Sequence, residues 1–266
     1  MKAPTKLLSR FFQPTVFLAA LTTTTLNAAS LTGSVTAGAT SNVNLSANGI
    51  TDWAVWGVSN STSLSPNDSM SGGTEISDLT NIDPNSVALR ALGQFGSYGE
   101  STFKWTNGTA TQTASSVYTG LQHDGEASDQ GTAAGEGFKL TINTGSSLQG
   151  TINLWFGVHR GLATITTTLN GATDEVLTMA GAEAGNSSTN HPGLVTLNYT
   201  KDNASDLIII NLVLTENYST INSGNVFINA VDVVNNPEVV PEPTSFALLG
   251  LGALGLAAYR RKRTAS

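Results

Sequence analysis

Three successive stretches of this 266-residue chain, Glu136–Ile142, Gly150–Val158 and Leu162–Leu169, alternate polar or small residues with apolar ones at a period of two. Successive side chains of an extended strand point to opposite faces, so each stretch carries one apolar face that has to be covered. Segments of this kind pair edge to edge and stack face to face. Asn170-Gly171 follows the third stretch and suits a two-residue hairpin turn, which needs positive φ at both central positions, leading into a strand at Glu175–Met179. Leu194–Thr200, Leu207–Thr215 and Asn225–Val233 continue the pattern. Ahead of them, Leu31–Ala37, Val43–Ser46, Val87–Leu92, Ser101–Thr106 and Ser115–Leu121 read as strands, and Asp52–Val58 as a stronger, mostly buried one. β-Branched and aromatic residues dominate all of these, as a pleated, half-buried surface requires. Ser59–Asp83 and His123–Gly135 are rich in turn residues and are expected to be long loops. No segment shows a 3.6-residue stripe. The reading is an all-β fold, an antiparallel β-sandwich of about ten strands.

The two ends do not share this pattern. Lys2, Lys6 and Arg10 precede an apolar stretch from Phe11 to Leu21, and small residues follow at Ala28 and Ala29. That order is a secretory signal peptide over residues 1–29, with cleavage expected after Ala28 or Ala29. At the other end Pro241-Glu242-Pro243 leads into an apolar run from Phe246 to Tyr259, closed by Arg260, Arg261, Lys262 and Arg263. The prolines hold the chain extended. The run is expected to form a short transmembrane helix over 245–259, roughly 20 Å long against a hydrocarbon core of ~30 Å, with flanking residues snorkelling to close the gap. Four cations directly after it favour a cytoplasmic C-terminus, which places everything before Pro241 on the far side of the inner membrane. The expected division is a signal peptide (1–29), a β-sandwich domain (30–236) and a C-terminal tail (237–266).

Pro241, Glu242 and Pro243, the apolar helix and the basic end stand together in an order that resembles the PEP-CTERM sorting signal of bacterial envelope proteins. The resemblance implies an exosortase as partner, a membrane enzyme that cleaves near the motif and releases or relocates its substrate. It further implies transient anchoring in the inner membrane, then the outer surface or extracellular matrix of a Gram-negative bacterium. Within the domain, Asp52-Trp-Ala-Val-Trp-Gly57, Phe103-Lys-Trp-Thr-Asn-Gly-Thr109, Gly135-Glu-Gly-Phe-Lys-Leu-Thr141 and Leu154-Trp-Phe-Gly157 are similar to a recurring bacterial surface module. That module occurs alone or beside glycan-active domains, and the likeness implies a galactose-binding-like jelly roll.

Between residues 30 and 240, Arg90, Lys104, Lys139, Arg160 and Lys201 stand against eighteen acids, a formal charge of −13. Such a surface repels polyanions, which argues against a nucleic-acid partner. There is no cysteine, so an exported domain of this size has to hold together by its core alone.

Residues fit for chemistry are sparse. His123, His159 and His191 fall in no metal-ligand spacing, and no Gly-x-Ser-x-Gly elbow occurs. Asp232 comes closest to an apolar strand setting that would raise a carboxyl pKa, with a solvent-facing strand end as its plainer expectation. Asp124, Glu126 and Asp129 offer three carboxylates in one loop, the ligand type that a structural Ca²⁺ prefers, although an ordinary solvated acidic loop fits them as well. Trp53, Trp105 and Trp155 are expected in the core. Trp56 follows Trp53 by an odd step and faces the other side of a regular strand, so an exposed ring that stacks on sugar is expected there, with His159 and Arg160 edging a glycan-binding face. These features favour a non-catalytic surface or matrix protein that associates with exopolysaccharide. A self-assembling matrix component and, further off, a glycan-active enzyme are the alternatives.

Overall fold

The structure is a computed structural model and describes residues 28–83, 89–92, 101–124, 135–169, 172–180, 190–218 and 224–236. Along the chain these residues form β1 (Ser30–Ala37), β2 (Val43–Asn44), β3 (Ile50–Val55), β4 (Asp68–Ser69), β5 (Thr80–Ile82), β6 (Leu89–Ala91), β7 (Thr102–Trp105) and β8 (Ala114–Tyr118). There follow β9 (Leu121–Asp124), β10 (Gly137–Ile142), β11 (Gln149–His159), β12 (Gly161–Leu169), β13 (Ala172–Ala180), β14 (His191–Thr200), β15 (Ile208–Asn217) and β16 (Asn225–Asn235). A 3-10 turn lies at Val58–Asn60.

An eight-stranded sheet runs β1-β14-β11-β16-β3-β4, with β9 paired to the first residues of β16 and β6 paired to β9. A five-stranded sheet, β13-β12-β15-β10-β5, packs on one of its faces. The alternation read in the sequence supplies this interface. Ile152, Leu154 and Phe156 of β11 and Val231 and Val233 of β16 meet Leu140 of β10, Ile165 of β12 and Ile210 and Leu212 of β15, all buried. The opposite face of the large sheet is covered in part by a three-stranded sheet, β2-β7-β8. It lays Leu45, Phe103 and Trp105 over Trp53, Val55, Trp155 and Ala230. Around β3, β16 and β11 the large sheet is therefore buried on both sides.

The expected strands are present from β10 onward within a residue or three of their predicted bounds. Pairing is antiparallel except for the two-residue β2–β7 contact, which is parallel. Ser59–Asp83, expected as loop, contributes the short strands β4 and β5. The strand predicted at Ser115–Leu121 breaks into β8 and β9 at Thr119-Gly120. There Gly57, with φ of 75°, and Gly120 approach so closely that a Cβ on Gly57 would lie 1.8 Å from the Gly120 carbonyl oxygen. The Asn170-Gly171 turn, residues 1–27 and residues 237–266, with the helix expected at 245–259, lie outside the described residues. Among the described residues no helix is long and apolar enough to cross a membrane.

Candidate functional site

The odd step from Trp53 to Trp56 does place the two rings on opposite faces of the large sheet. The expected exposure of Trp56 is nevertheless corrected, because it is 0% exposed between the two main sheets and its Nε1 donates to the Leu64 carbonyl oxygen at 3.0 Å. Both faces of that strand are covered, so facing the other way does not lead to solvent. His159 ends β11 and Arg160 stands in the β11–β12 turn with φ of 47°, both half-buried. Trp56 N donates to Asn229 O, whereas His159 pairs with Asn225, four residues along β16, a separation of roughly 13 Å at the usual strand rise. The three residues are not gathered into one face. Asp124 ends β9, while Glu126 and Asp129 lie outside the described residues. Among the described residues no group of three His, Asp or Glu side chains could hold a metal ion.

The structure brings together a different set. On the outer face of the large sheet, register sets Ser34 opposite Thr196, Thr196 opposite Asn153, Asn153 opposite Asp232, and Asp232 opposite Trp53. Thr196 Oγ1 donates to Asn153 Oδ1 at 3.1 Å, and Asn153 Nδ2 donates to Asp232 Oδ1 at 2.9 Å. In the next row Thr32 lies opposite Asn198, whose Oδ1 accepts from Thr151 Oγ1 at 3.0 Å. Thr32, Ser34 and Asn198 are exposed and Thr151, Asn153 and Thr196 half-buried. The adjoining row on the other side, Leu194, Trp155, Ala230 and Val55, is the apolar one packed against the small sheet. One step along the strands thus converts the face from apolar and covered to polar.

Asp232 belongs to this row, and its plainer expectation is corrected too. It is 4% exposed, and burial pushes its carboxyl up to about 6 in spite of the hydrogen bonds from Asn153. Three further buried groups are held by neighbouring segments. Asp52 Oδ1 accepts from Trp53 N at 2.8 Å and Oδ2 from Glu75 N at 2.7 Å and Ile76 N at 3.2 Å. It lines a cleft of about 320 Å³ with Ser65, Pro66, Ser69 and Asp78, and burial raises its pKa. Asp68 accepts from the backbone N–H groups of Ser69, Ala110 and Thr111. His123 is buried against Phe138 and bonded through Nε2 to Asn81 Oδ1, with its pKa pushed down to about 4 by burial. Carboxylates occupied by backbone donors organise loops. Asp52 is the first buried residue of β3, and a carboxylate at the head of so apolar a stretch is a signal the sequence carries. Asp68 carries none, because its partners Ala110 and Thr111 lie some forty residues away.

A family model, the PEP-CTERM protein-sorting motif, matches residues 239–263. No curated relative matches the chain by sequence. Among solved structures, the chain is similar to the K1 cleaved adhesin domain of Lys-gingipain from Porphyromonas gingivalis W83, with a TM-score of 0.38 and 7% identity over 70% of this chain and 99% of that one. It is similar also to the carbohydrate-binding module TmCBM61 in complex with β-1,4-galactotriose, with a TM-score of 0.35 and 9% identity over 59% of this chain and 87% of that one. A third is the carbohydrate-binding module CBM36 in complex with calcium and xylotriose, with a TM-score of 0.26 and 18% identity over 38% of this chain and 75% of that one. What stands behind the last strand of the sandwich is therefore a PEP-CTERM protein-sorting motif.

Proposed function

We propose that the chain is an exported, non-catalytic surface or matrix protein, sorted by an exosortase through its tail and associating with exopolysaccharide through its sandwich, a galactose-binding-like jelly roll. The observation that carries this reading is the sorting motif at 239–263. The polar rows support the glycan part. Hydroxyl and amide side chains both donate and accept hydrogen bonds, as the hydroxyls of a sugar do. Six of them, Thr32, Ser34, Thr151, Asn153, Thr196 and Asn198, share one face beside the small sheet.

The test is binding of the purified chain to the exopolysaccharide of its own host, compared with a Ser34→Ala, Asn198→Ala double variant. Saturable binding that the variant weakens about tenfold, near 1.4 kcal/mol, is expected. Absence of saturable binding would overturn the glycan reading and leave the sorting reading standing. A chelator arm reads the Ca²⁺ proposed at Asp124, Glu126 and Asp129, since binding lost only with chelator would move the site to that loop.

A further inference from the structure

β1 is the outermost strand of the large sheet, and among the described residues it pairs with β14 alone. Gly38 N donates to Pro192 O at 2.8 Å, which continues the β1–β14 register by one residue. Bonded pairs alternate with non-bonded ones in an antiparallel ladder, so Ser30, Thr32, Ser34 and Thr36 are the residues that bond to β14. The N–H and C=O groups of Leu31, Gly33, Val35 and Ala37 then point the other way, off the edge of the sheet.

An open edge of this kind is a template for another strand, and folded proteins guard it with charge, proline, bulges or brevity. The other sheet edges among the described residues carry such guards. β2 and β4 are two residues long, and β5 and β6 three. β13 contains Asp174 and Glu175 and shifts register against β12, and β8 is interrupted at Ser116, with φ of 55°. β1 has none of these. Its eight residues include no charge and no proline and hold one unbroken register. Thr32, Ser34, Thr36 and Ala37 are exposed, with Gly33 and Val35 half-buried.

Charge and symmetry select the occupant. Residues 30–240 carry a formal charge of −13, so two copies repel each other overall. β1 and β14 contain no Asp, Glu, Lys or Arg, which frees this edge of that repulsion. The strand also matches itself. When two β1 strands meet antiparallel about Ser34, Gly33 stands opposite Val35 and Leu31 opposite Ala37 as the bonded pairs, which uses all four outward-pointing residues of each strand. Between them Ser34 meets Ser34 and Thr32 meets Thr36, hydroxyl against hydroxyl on the outer face.

We propose that β1 is a self-association edge. A second copy adds its own β1 antiparallel, about a two-fold axis at Ser34, and the two large sheets become one. The polar row Ser34, Thr196, Asn153, Asp232 then runs through the axis into the same row of the second copy. This edge depends on neither the sorting tail nor the glycan reading. A chain without cysteine allows a test of register. The full chain, purified in detergent and carrying either Ser34→Cys or Thr32→Cys, is mildly oxidised and run on a non-reducing gel. Across the axis the two positions 34 have Cα atoms about 4.5 Å apart, within disulfide reach. The two positions 32 are offset by four residues, roughly 13 Å. A disulfide-linked dimer about tenfold more abundant with Ser34→Cys is expected, and a mixture of Thr32→Cys and Thr36→Cys chains should match it. Val35→Pro removes an outward N–H and no bond to β14, so adding it to Ser34→Cys should lower the dimer to the Thr32→Cys level. Equal dimer from Ser34→Cys and Thr32→Cys would mean association without register, as through the apolar tail, and overturns the proposal. No dimer, or a crosslink to a different chain in an envelope extract, overturns the second copy as the occupant. The comparison of positions 34 and 32 decides the question even where Val35→Pro fails to fold.

Discussion

The two faces of the eight-stranded sheet are built from the same strands and do opposite things. Toward the five-stranded sheet β1, β14, β11 and β16 offer mainly aliphatic and aromatic residues, and most of the interface is apolar, with His123 buried against Phe138 as a polar exception. On the other face β11 goes from Trp155 to Asn153 to Thr151 and β16 from Ala230 to Asp232, so cover gives way to polar surface within two residues per strand. The first face needs only period-two alternation and tolerates almost any β-branched filling. The second depends on particular residues at particular registers. The first way to break this contrast is to remove the small sheet's anchor. Trp105 is 1% exposed, packs on Trp53 at 5.3 Å between ring centroids, and donates through Nε1 to Thr111 O at 2.8 Å. Trp105→Ala is expected to cost about 4 kcal/mol. The loss should fall on the outer face, with faster amide exchange in β7 and β8 and greater acrylamide quenching of Trp53. Equal loss of protection in β10, β12 and β15 would show the layers to be one cooperative unit.

How much of this was legible in the sequence follows from the same contrast. The inner face was, because Gly150–Val158 and Leu162–Leu169 obey a rule with a single period and long strands repeat it many times. The outer face was not. Parity assigned Trp56 to the side opposite Trp53 correctly, but parity says which face and never what lies over it. The strands of the third layer are expected at Val43–Ser46, Ser101–Thr106 and Ser115–Leu121, but pieces of two to five residues carry no sign of which sheet face they cover. Asp232 was misplaced for the same reason: its apolar neighbours in sequence belong to the inner face, and its partners Asn153 and Trp53 come from strands far away in the chain. The sorting motif was legible because its parts are contiguous.

Asp232 sharpens the comparison through pH. Its ordinary value is 3.8 and burial raises it to about 6 in the folded chain. Between those values the folded state keeps a proton that the unfolded state has released, so stability falls as pH rises through that window and stays reduced above it. At about 1.4 kcal/mol per pKa unit, the charged form costs on the order of 3 kcal/mol at neutral pH. Asp232→Asn keeps an acceptor for Asn153 Nδ2 and removes the charge. Denaturant titration should find the variant equal to the parent below about pH 4 and more stable by up to about 3 kcal/mol above pH 6. Asp52 and Glu75, also raised by burial, leave a smaller slope of the same sign in both proteins. A variant less stable than the parent at neutral pH would make the Asp232 charge part of what holds the outer face together.

The smallest expected effect discriminates most finely between surface and structure. Thr151 and Ile152 are neighbours on β11 that face opposite ways, Ile152 0% exposed in the inner core and Thr151 half-buried with its hydroxyl on Asn198. Ile152→Ala should cost 2–5 kcal/mol by cavity formation, roughly the range for a buried aliphatic residue. Thr151→Val keeps the β-branch and the strand preference and loses a single partly solvated hydrogen bond, so about 0.5 kcal/mol or less is expected. If denaturant midpoints show Thr151→Val costing more than about 1 kcal/mol, the hydroxyl is structural and the polar row is a braced ladder. A near-neutral Thr151→Val that also weakens polysaccharide binding would give the row a different standing. Its side chains would then be held in register by the sheet and remain free to exchange their hydrogen bonds for those of a sugar.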